Sequence, residues 1–229
     1  MRNIIFIVLV TLGLAVLASV SFGAVAKPAV QEAFGAEGGK NCRKDDPGNR
    51  KKDGTWGCTM YGFSPKVYGD KVPDNLDDAS AMYERDFWRF LHLDGLDSQI
   101  IANAIFLAAI NQGSPLWAKK IQEAVNLSND YGEDIAVDGQ IGPKTIAAAN
   151  KCDQVELYVN IIILQGARYQ AIVKANPNMR AWYKEWMYRM RNGVRKAVHE
   201  YDTYLAREAQ KKFKGSGNID AGFLKEVAP

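Results

Sequence analysis

Histidine is almost missing from this chain: His92 and His199 are its only two, and they stand far apart. Zinc hydrolysis and Cys–His nucleophilic catalysis both need imidazole in a defined cluster, so neither is expected, and no metal ligand set is assembled. Phosphate-cradling loops and internal repeats are absent too, which removes nucleotide chemistry and solenoid architectures. An excess of one charge is also lacking. The 29 basic and 26 acidic residues leave +3 over 229 residues, too balanced to argue for a nucleic-acid partner. With 47% apolar and 24% charged residues, what remains is a globular chain with material for one sizeable core.

The chain opens on an uncharged run of 23 residues, Ile4 to Ala26, behind Arg2. That is long enough to span a bilayer, although Thr11, Gly13, Ser19, Ser21 and several alanines dilute it. Two readings compete. Ala24-Val25-Ala26 fits the small-x-small rule of a removable signal peptide, or residues 4–26 are an uncleaved anchor weak enough to leave the membrane later. Either one exports the remainder with Arg2 inside. The expected location is the periplasm, with the inner membrane a partner at least transiently.

The chemistry is expected next, between Lys27 and Ser64. Val30, Ala33, Phe34 and Glu37 fall on one face of a short helix that Pro28 opens and Gly38-Gly39 stops. Glu37 therefore sits on the last turn beside an apolar stripe. Desolvation and the negative helix end both disfavour its charge, as suits a general acid. Asp46 comes after it in the wet turn Lys44-Asp45-Asp46-Pro47-Gly48-Asn49. Two acids in contrasting surroundings are the pair used in glycoside hydrolysis.

In an exported protein the three cysteines enter an oxidising compartment. Cys42 and Cys58 bracket the loop that carries Asp46, and a bridge between them would staple it; three unpaired thiols are the alternative. Closing such a 15-residue loop is worth about 3 kcal/mol in the chain-entropy model.

Helical patterns fill most of the chain beyond Ser64. Asp77 or Asp78 is expected to cap a helix to about Leu91, with Tyr83, Phe87, Phe90 and Leu91 buried. Trp88 falls off that stripe, either as a core-edge residue or as a platform for a sugar ring. Asp97 or Ser98 caps Gln99 to Asn111, which is apolar on nearly every face and so central. Pro115 opens a further helix through Trp117, Ile121 and Val125. Val137-Asp138-Gly139-Gln140-Ile141-Gly142-Pro143-Lys144-Thr145 reads as a tight Asp-Gly turn, a buried Ile141 and a helix from Pro143. Val155 to Ala175 and Met179 to about Glu208 are helical, the second interrupted at Gly193, with Trp186 as a core anchor and a basic side of Arg180, Arg189, Arg191, Arg195 and Lys196.

These motifs stand in a familiar order. Glu37-Gly38-Gly39, Asp46-Pro47-Gly48 and Thr59-Met60-Tyr61-Gly62-Phe63-Ser64 resemble the opening of glycoside hydrolase family 108, the lysozyme-like muramidases of phages and bacterial secretion systems. Asn111-Gln112-Gly113, the Val137–Thr145 signature of peptidoglycan-binding modules and Trp186-Met187-Tyr188-Arg189 continue the resemblance to Gly193. Lys40 stands where the family has an aromatic residue, Asn49 where it has Gly, Glu185 where it has Gly, and Lys52 where phage-type lysozymes place Thr.

The resemblance implies a mainly α, lysozyme-like helical domain with a long loop or small hairpin after the catalytic helix, preceded by an N-terminal hydrophobic helix. It makes Glu37 the essential acid and Asp46 the second catalytic group, with Thr59 (or Thr55) in place of the threonine missing at Lys52. Tyr61, Trp88, Asn111 and Asp138 are the expected substrate contacts. The implied layout is a signal-anchor or signal peptide over 1–26, a catalytic region over 27–112, a helical peptidoglycan-binding region over 113–210, and a flexible tail over 211–229. The implied function is an exported N-acetylmuramidase acting on peptidoglycan glycan strands as a monomer without cofactor, in a phage endolysin whose N-terminal segment is either a signal-arrest-release anchor or a signal peptide. A bacterial muramidase aiding secretion and a non-catalytic wall-binding protein are the alternatives.

Overall fold

The computed structural model describes residues 23–37, 39–129 and 132–215. The expected hydrophobic helix lies outside the described residues for all but its last few positions. Among the described residues no helix is long and apolar enough to cross a membrane. The fold is mainly helical, and the chain divides into two units at Arg168 and Tyr169.

In the first unit, α1 (Ala26–Glu37) buries Ala29, Val30 and Ala33 and half-buries Phe34. That is the stripe read from the spacing. The helix starts two residues before Pro28, because its entry is tied down elsewhere: the Ala24 N–H donates to the Leu96 carbonyl at 2.9 Å. Behind it comes a small hairpin, β1 (Lys40–Asn41) antiparallel to β2 (Thr59–Met60), with Lys40 opposite Met60 and Asn41 opposite Thr59. A short α2 (Pro65–Tyr68) leads to α3 (Leu76–Tyr83).

Asn75, rather than Asp77 or Asp78, caps α3: its side chain accepts from the Asp78 N–H at 2.9 Å. After Tyr83 the helix widens into a π-helical turn, Glu84–Arg89. A π turn fits an extra residue into the helix and so rotates everything after it. Trp88, expected off the buried stripe, is consequently 3% exposed and packs edge-on against Phe106 at 5.7 Å. Phe90, expected on the stripe, is 47% exposed.

The centre of the unit is α4 (Gln99–Gln112), capped by Ser98 and buried through Ile101, Ala102, Ile105, Phe106, Ala108 and Ala109. Gly113 takes φ 94°, a left-handed value suited to glycine, and turns the chain into α5 (Ser114–Leu127), which packs on α4 through Trp117 and Ile121. The first unit therefore continues across residue 113. It goes on through α6 (Pro143–Lys151) into α7 (Gln154–Ala175), whose start Asp153 caps by accepting from the Val155 and Glu156 N–H groups.

The second unit contains the end of α7, a 3-10 turn (Pro177–Met179) and α8 (Arg180–Gly215). Trp186 stacks on Tyr169, with ring centroids 5.0 Å apart and planes 19° apart. The helix runs straight through Gly193. One interior glycine costs about 1 kcal/mol, too little to break so long a helix. It also passes Lys211, where a tail was expected; residues 216–229 of that tail lie outside the described residues.

Candidate active site

Everything in the candidate site hangs from two fixed points, the end of α1 and the hairpin after it. The start of α1 is clamped by Gln99, whose side-chain amide accepts from the Val25 N–H at 2.8 Å and donates to the Val25 carbonyl at 3.0 Å. One amide thus satisfies both backbone groups of a residue ahead of the helix, as a strand partner would. Glu37 is the last residue of the helix. Its side chain, and Gly38 after it, lie outside the described residues.

The hairpin is joined directly to that helix end. The Tyr61 N–H donates to the Gly39 carbonyl at 3.1 Å, and Tyr61 and Gly62 take φ of 49° and 83° in a tight turn closed by Phe63 N–H to Met60 O at 2.8 Å. Positive φ at both central positions is the type I′ pattern. Tyr61 tolerates it because both its ends are held: its ring lies edge-on to Phe34 of α1 at 6.3 Å, and its carbonyl accepts from the Tyr83 hydroxyl at 2.8 Å. Tyr61, an expected substrate contact, is half-buried and couples the hairpin to α1.

A disulfide joins Cys42 to Cys58, next to the paired Asn41 and Thr59. The loop it closes carries Asp46. One carboxylate oxygen of Asp46 accepts from the Gly48 N–H at 2.8 Å, capping the 3-10 turn Pro47–Asn49, and the other accepts from the Asn41 amide at 2.9 Å. Asp46 is half-buried and oriented from both sides.

Below it sits Asn49, fully buried at 0% exposure. Its amide donates to the Arg43 carbonyl at 2.8 Å, and its oxygen accepts from the Thr59 N–H and the Thr59 hydroxyl, both at 2.7 Å. The Thr59 proton is therefore spent on the scaffold, which leaves only oxygen lone pairs for any other partner. Thr55, the other candidate, donates to Asp53 at 2.6 Å at the loop tip. Asn41 and Asn49 were not foreseen as site residues. The one signal was Asn49 at a position where the family pattern carries glycine.

Hairpin and loop thus bring Asp46, Thr59 and Tyr61 together. The remaining expected contacts are placed otherwise. Trp88 is a core residue and offers no ring face to a sugar. Asn111 donates from within α4 to the Leu107 carbonyl at 2.9 Å and is exposed; the cap is Gly113 instead. Asp138 accepts from the Gln122 amide and the Gln140 N–H, both at 2.8 Å, while Gln122, 1% exposed, accepts from the Gly139 N–H at 2.7 Å. The bond from Gln122 leads the causes that hold the Asp138 carboxyl below its ordinary range. Its evident task is to pin the Asp-Gly turn. Among the described residues no cluster of three or more His, Cys, Asp or Glu could hold a metal ion.

Residues 30–113 match the family described as Glycosyl hydrolase 108, and residues 118–191 match the one described as Predicted Peptidoglycan domain. No curated protein matches the chain. Among solved structures the chain is similar to SagA of Brucella abortus, at 22% identity over 76% of this chain and 94% of that one, with a TM-score of 0.59. That likeness is one of fold.

Proposed function

We propose that this chain, a glycoside hydrolase of family 108 through residues 30–113 with a peptidoglycan domain over residues 118–191, is an exported N-acetylmuramidase that lyses a host cell for a phage. Its bond is the β-1,4 link between N-acetylmuramic acid and N-acetylglucosamine. Glu37, at the end of a helix that buries its apolar stripe, gives its proton to the leaving glycosidic oxygen. Asp46 steadies the oxocarbenium-like transition state or activates the attacking water. The observation that carries the reading is the double anchoring of Asp46 by Gly48 and Asn41, on a hairpin bonded to the residues just after Glu37. A fixed carboxylate needs no reorganisation when positive charge develops, which is the basis of electrostatic stabilisation. Carboxyl groups about 5–5.5 Å apart would retain the anomeric configuration and about 6.5–9.5 Å apart would invert it.

The N-terminal segment stays attached in the working enzyme. Support comes from its last residues: Ala24 is 5% exposed, Val25 is clamped by Gln99, and a side chain on Gly23 would collide with the Asp94 carbonyl. Cleavage after Ala26 would discard all three contacts and the first residue of α1. Residues held in the membrane cannot make these contacts, so folding of α1 and anchoring compete for them.

Mass spectrometry of fragments released from purified peptidoglycan tests the chemistry. Reducing-end muramic acid is expected from the wild type and none from Glu37→Gln; cut peptide stems would overturn the reading. N-terminal sequencing of the exported protein tests the rest, and a mature start at Lys27 would overturn retention.

A further inference from the structure

The disulfide-closed loop carries a second feature that the proposed chemistry leaves unused. Between Asn49 and Gly57 the chain forms a tight excursion, held by Gly57 N–H to Asn49 O and Lys51 N–H to Thr55 O, both at 2.8 Å. Arg50 and Trp56 face each other across it as an antiparallel pair. Opposite residues in such a pair share one side of the ribbon, with Cβ atoms about 5 Å apart. Both side chains are exposed, Trp56 by 43%.

An exposed tryptophan on a loose loop would be ordinary. This loop is not loose: the disulfide closes it, buried Asn49 fills it, Gly57 lies against Pro65, and Lys51 pairs with Asp70. Little entropy remains to be lost when a ligand settles on it. Its charges are not all balanced either. Arg43 and Lys51 are paired with Asp45 and Asp70, whereas Arg50 has no carboxylate partner among the described residues. Trp56 also lies near the chemistry. It is three residues from Thr59, about 10 Å at the strand rise, and Arg50 comes directly after the Asn49 that holds Thr59.

We infer that Trp56 and Arg50 form a subsite for the glycan strand, with the indole face on a pyranose ring and the guanidinium on a carboxylate of the adjoining peptide stem. The inference rests on the proposed muramidase function. An exposed indole across the ribbon from an unpaired, planar cation matches a polymer of sugar rings that carry peptide stems with free carboxylates. The rival is a purely internal pair, Arg50 stacked on Trp56 to stiffen the loop.

Steady-state cleavage of purified peptidoglycan, together with binding of its soluble disaccharide-peptide fragments to Glu37→Gln, separates these. In the oxidised full-length chain, Trp56→Ala is expected to raise KM about tenfold and to leave kcat within about twofold, the pattern of lost binding shared by substrate and transition state. Fragment affinity of the Glu37→Gln chain should fall by the same factor when Trp56→Ala is added. Trp56→Tyr should recover most of it, and Arg50→Gln should flatten the salt dependence of binding. Unchanged KM and affinity in Trp56→Ala, or a loss of thermal stability that accounts for the whole effect, overturns the subsite while leaving the muramidase reading intact. A wild type that releases no glycan fragments overturns both.

Discussion

The Thr59 N–H and the Thr59 hydroxyl both donate to one oxygen of Asn49, each at 2.7 Å. This single oxygen joins the 3-10 turn that Asp46 caps to the strand that pairs with Asn41, so it fixes the frame in which the Asp46 carboxylate stands. Asn49→Ala would remove these bonds from the Arg43 carbonyl and the Thr59 N–H at a part-buried site. Expected is a loss of about 2–4 kcal/mol, read from denaturant midpoints, with turnover falling further than stability. Unimpaired activity in a destabilised Asn49→Ala would separate the frame from the chemistry.

Asp46→Asn tests the carboxylate itself. The substituted oxygen can still accept from the Gly48 N–H, but an amide turned toward Asn41 sets donor against donor. Turnover should drop about 100-fold or more, in the range of a lost acid–base or charge-stabilising group, with a small change in melting temperature. Activity near wild type would remove Asp46 from the mechanism.

Reduction of Cys42–Cys58 is expected to cost about 3 kcal/mol for the closed loop and to abolish turnover, because both neighbours of the bridge, Asn41 and Thr59, belong to the Asp46 frame. Cys42→Ser with Cys58→Ser should behave alike in activity and calorimetry. Cys152→Ser should not: that thiol is free, half-buried, and pushed up in pKa by its burial.

Tyr68 is expected to contribute to the loss of stability at alkaline pH. Burial first, then the charge of Asp86 and a hydrogen bond to it, push its hydroxyl from 10.0 up to about 12. The folded state therefore holds a proton that the unfolded state gives up above pH 10. The stabilisation is whole below that pH and is lost as pH rises through about 12. Tyr68→Phe should flatten the fall in stability between pH 10 and 12, measured by thermal melts; an unchanged slope would show that other groups carry it.

Gln99→Leu removes both bonds to Val25 and should lower stability by about 1–3 kcal/mol, with faster amide hydrogen exchange at the start of α1. Exchange unchanged at Val25 would mean that the clamp is dispensable.

Local pattern was a good guide wherever one period held. The stripe of Val30, Ala33 and Phe34, the all-apolar centre from Ile101 to Ala109 and the buried Ile141 all come from spacing, because burial repeats with the helix. The pattern failed where the period changed. The π turn at Glu84–Arg89 moved Trp88 inward and Phe90 outward, and nothing in the residue types announces an extra residue per turn. In Asn75-Leu76-Asp77-Asp78 three side chains can cap, and only the direction of the incoming chain selects Asn75.

The amino-acid order by itself settled that the chain is mainly helical, that two carboxylates flank a glycine turn early in it, and that two cysteines bracket the second acid. Those are properties of neighbours, legible in a line of letters. Tertiary structure alone decided what each polar group spends its bonds on: Thr59 on Asn49, Asp138 on Gln122, Gln99 on Val25. Such partners lie up to 74 residues apart. Each has many possible mates, and burial makes an unpaired donor too costly to leave, so only the packed fold fixes the choice.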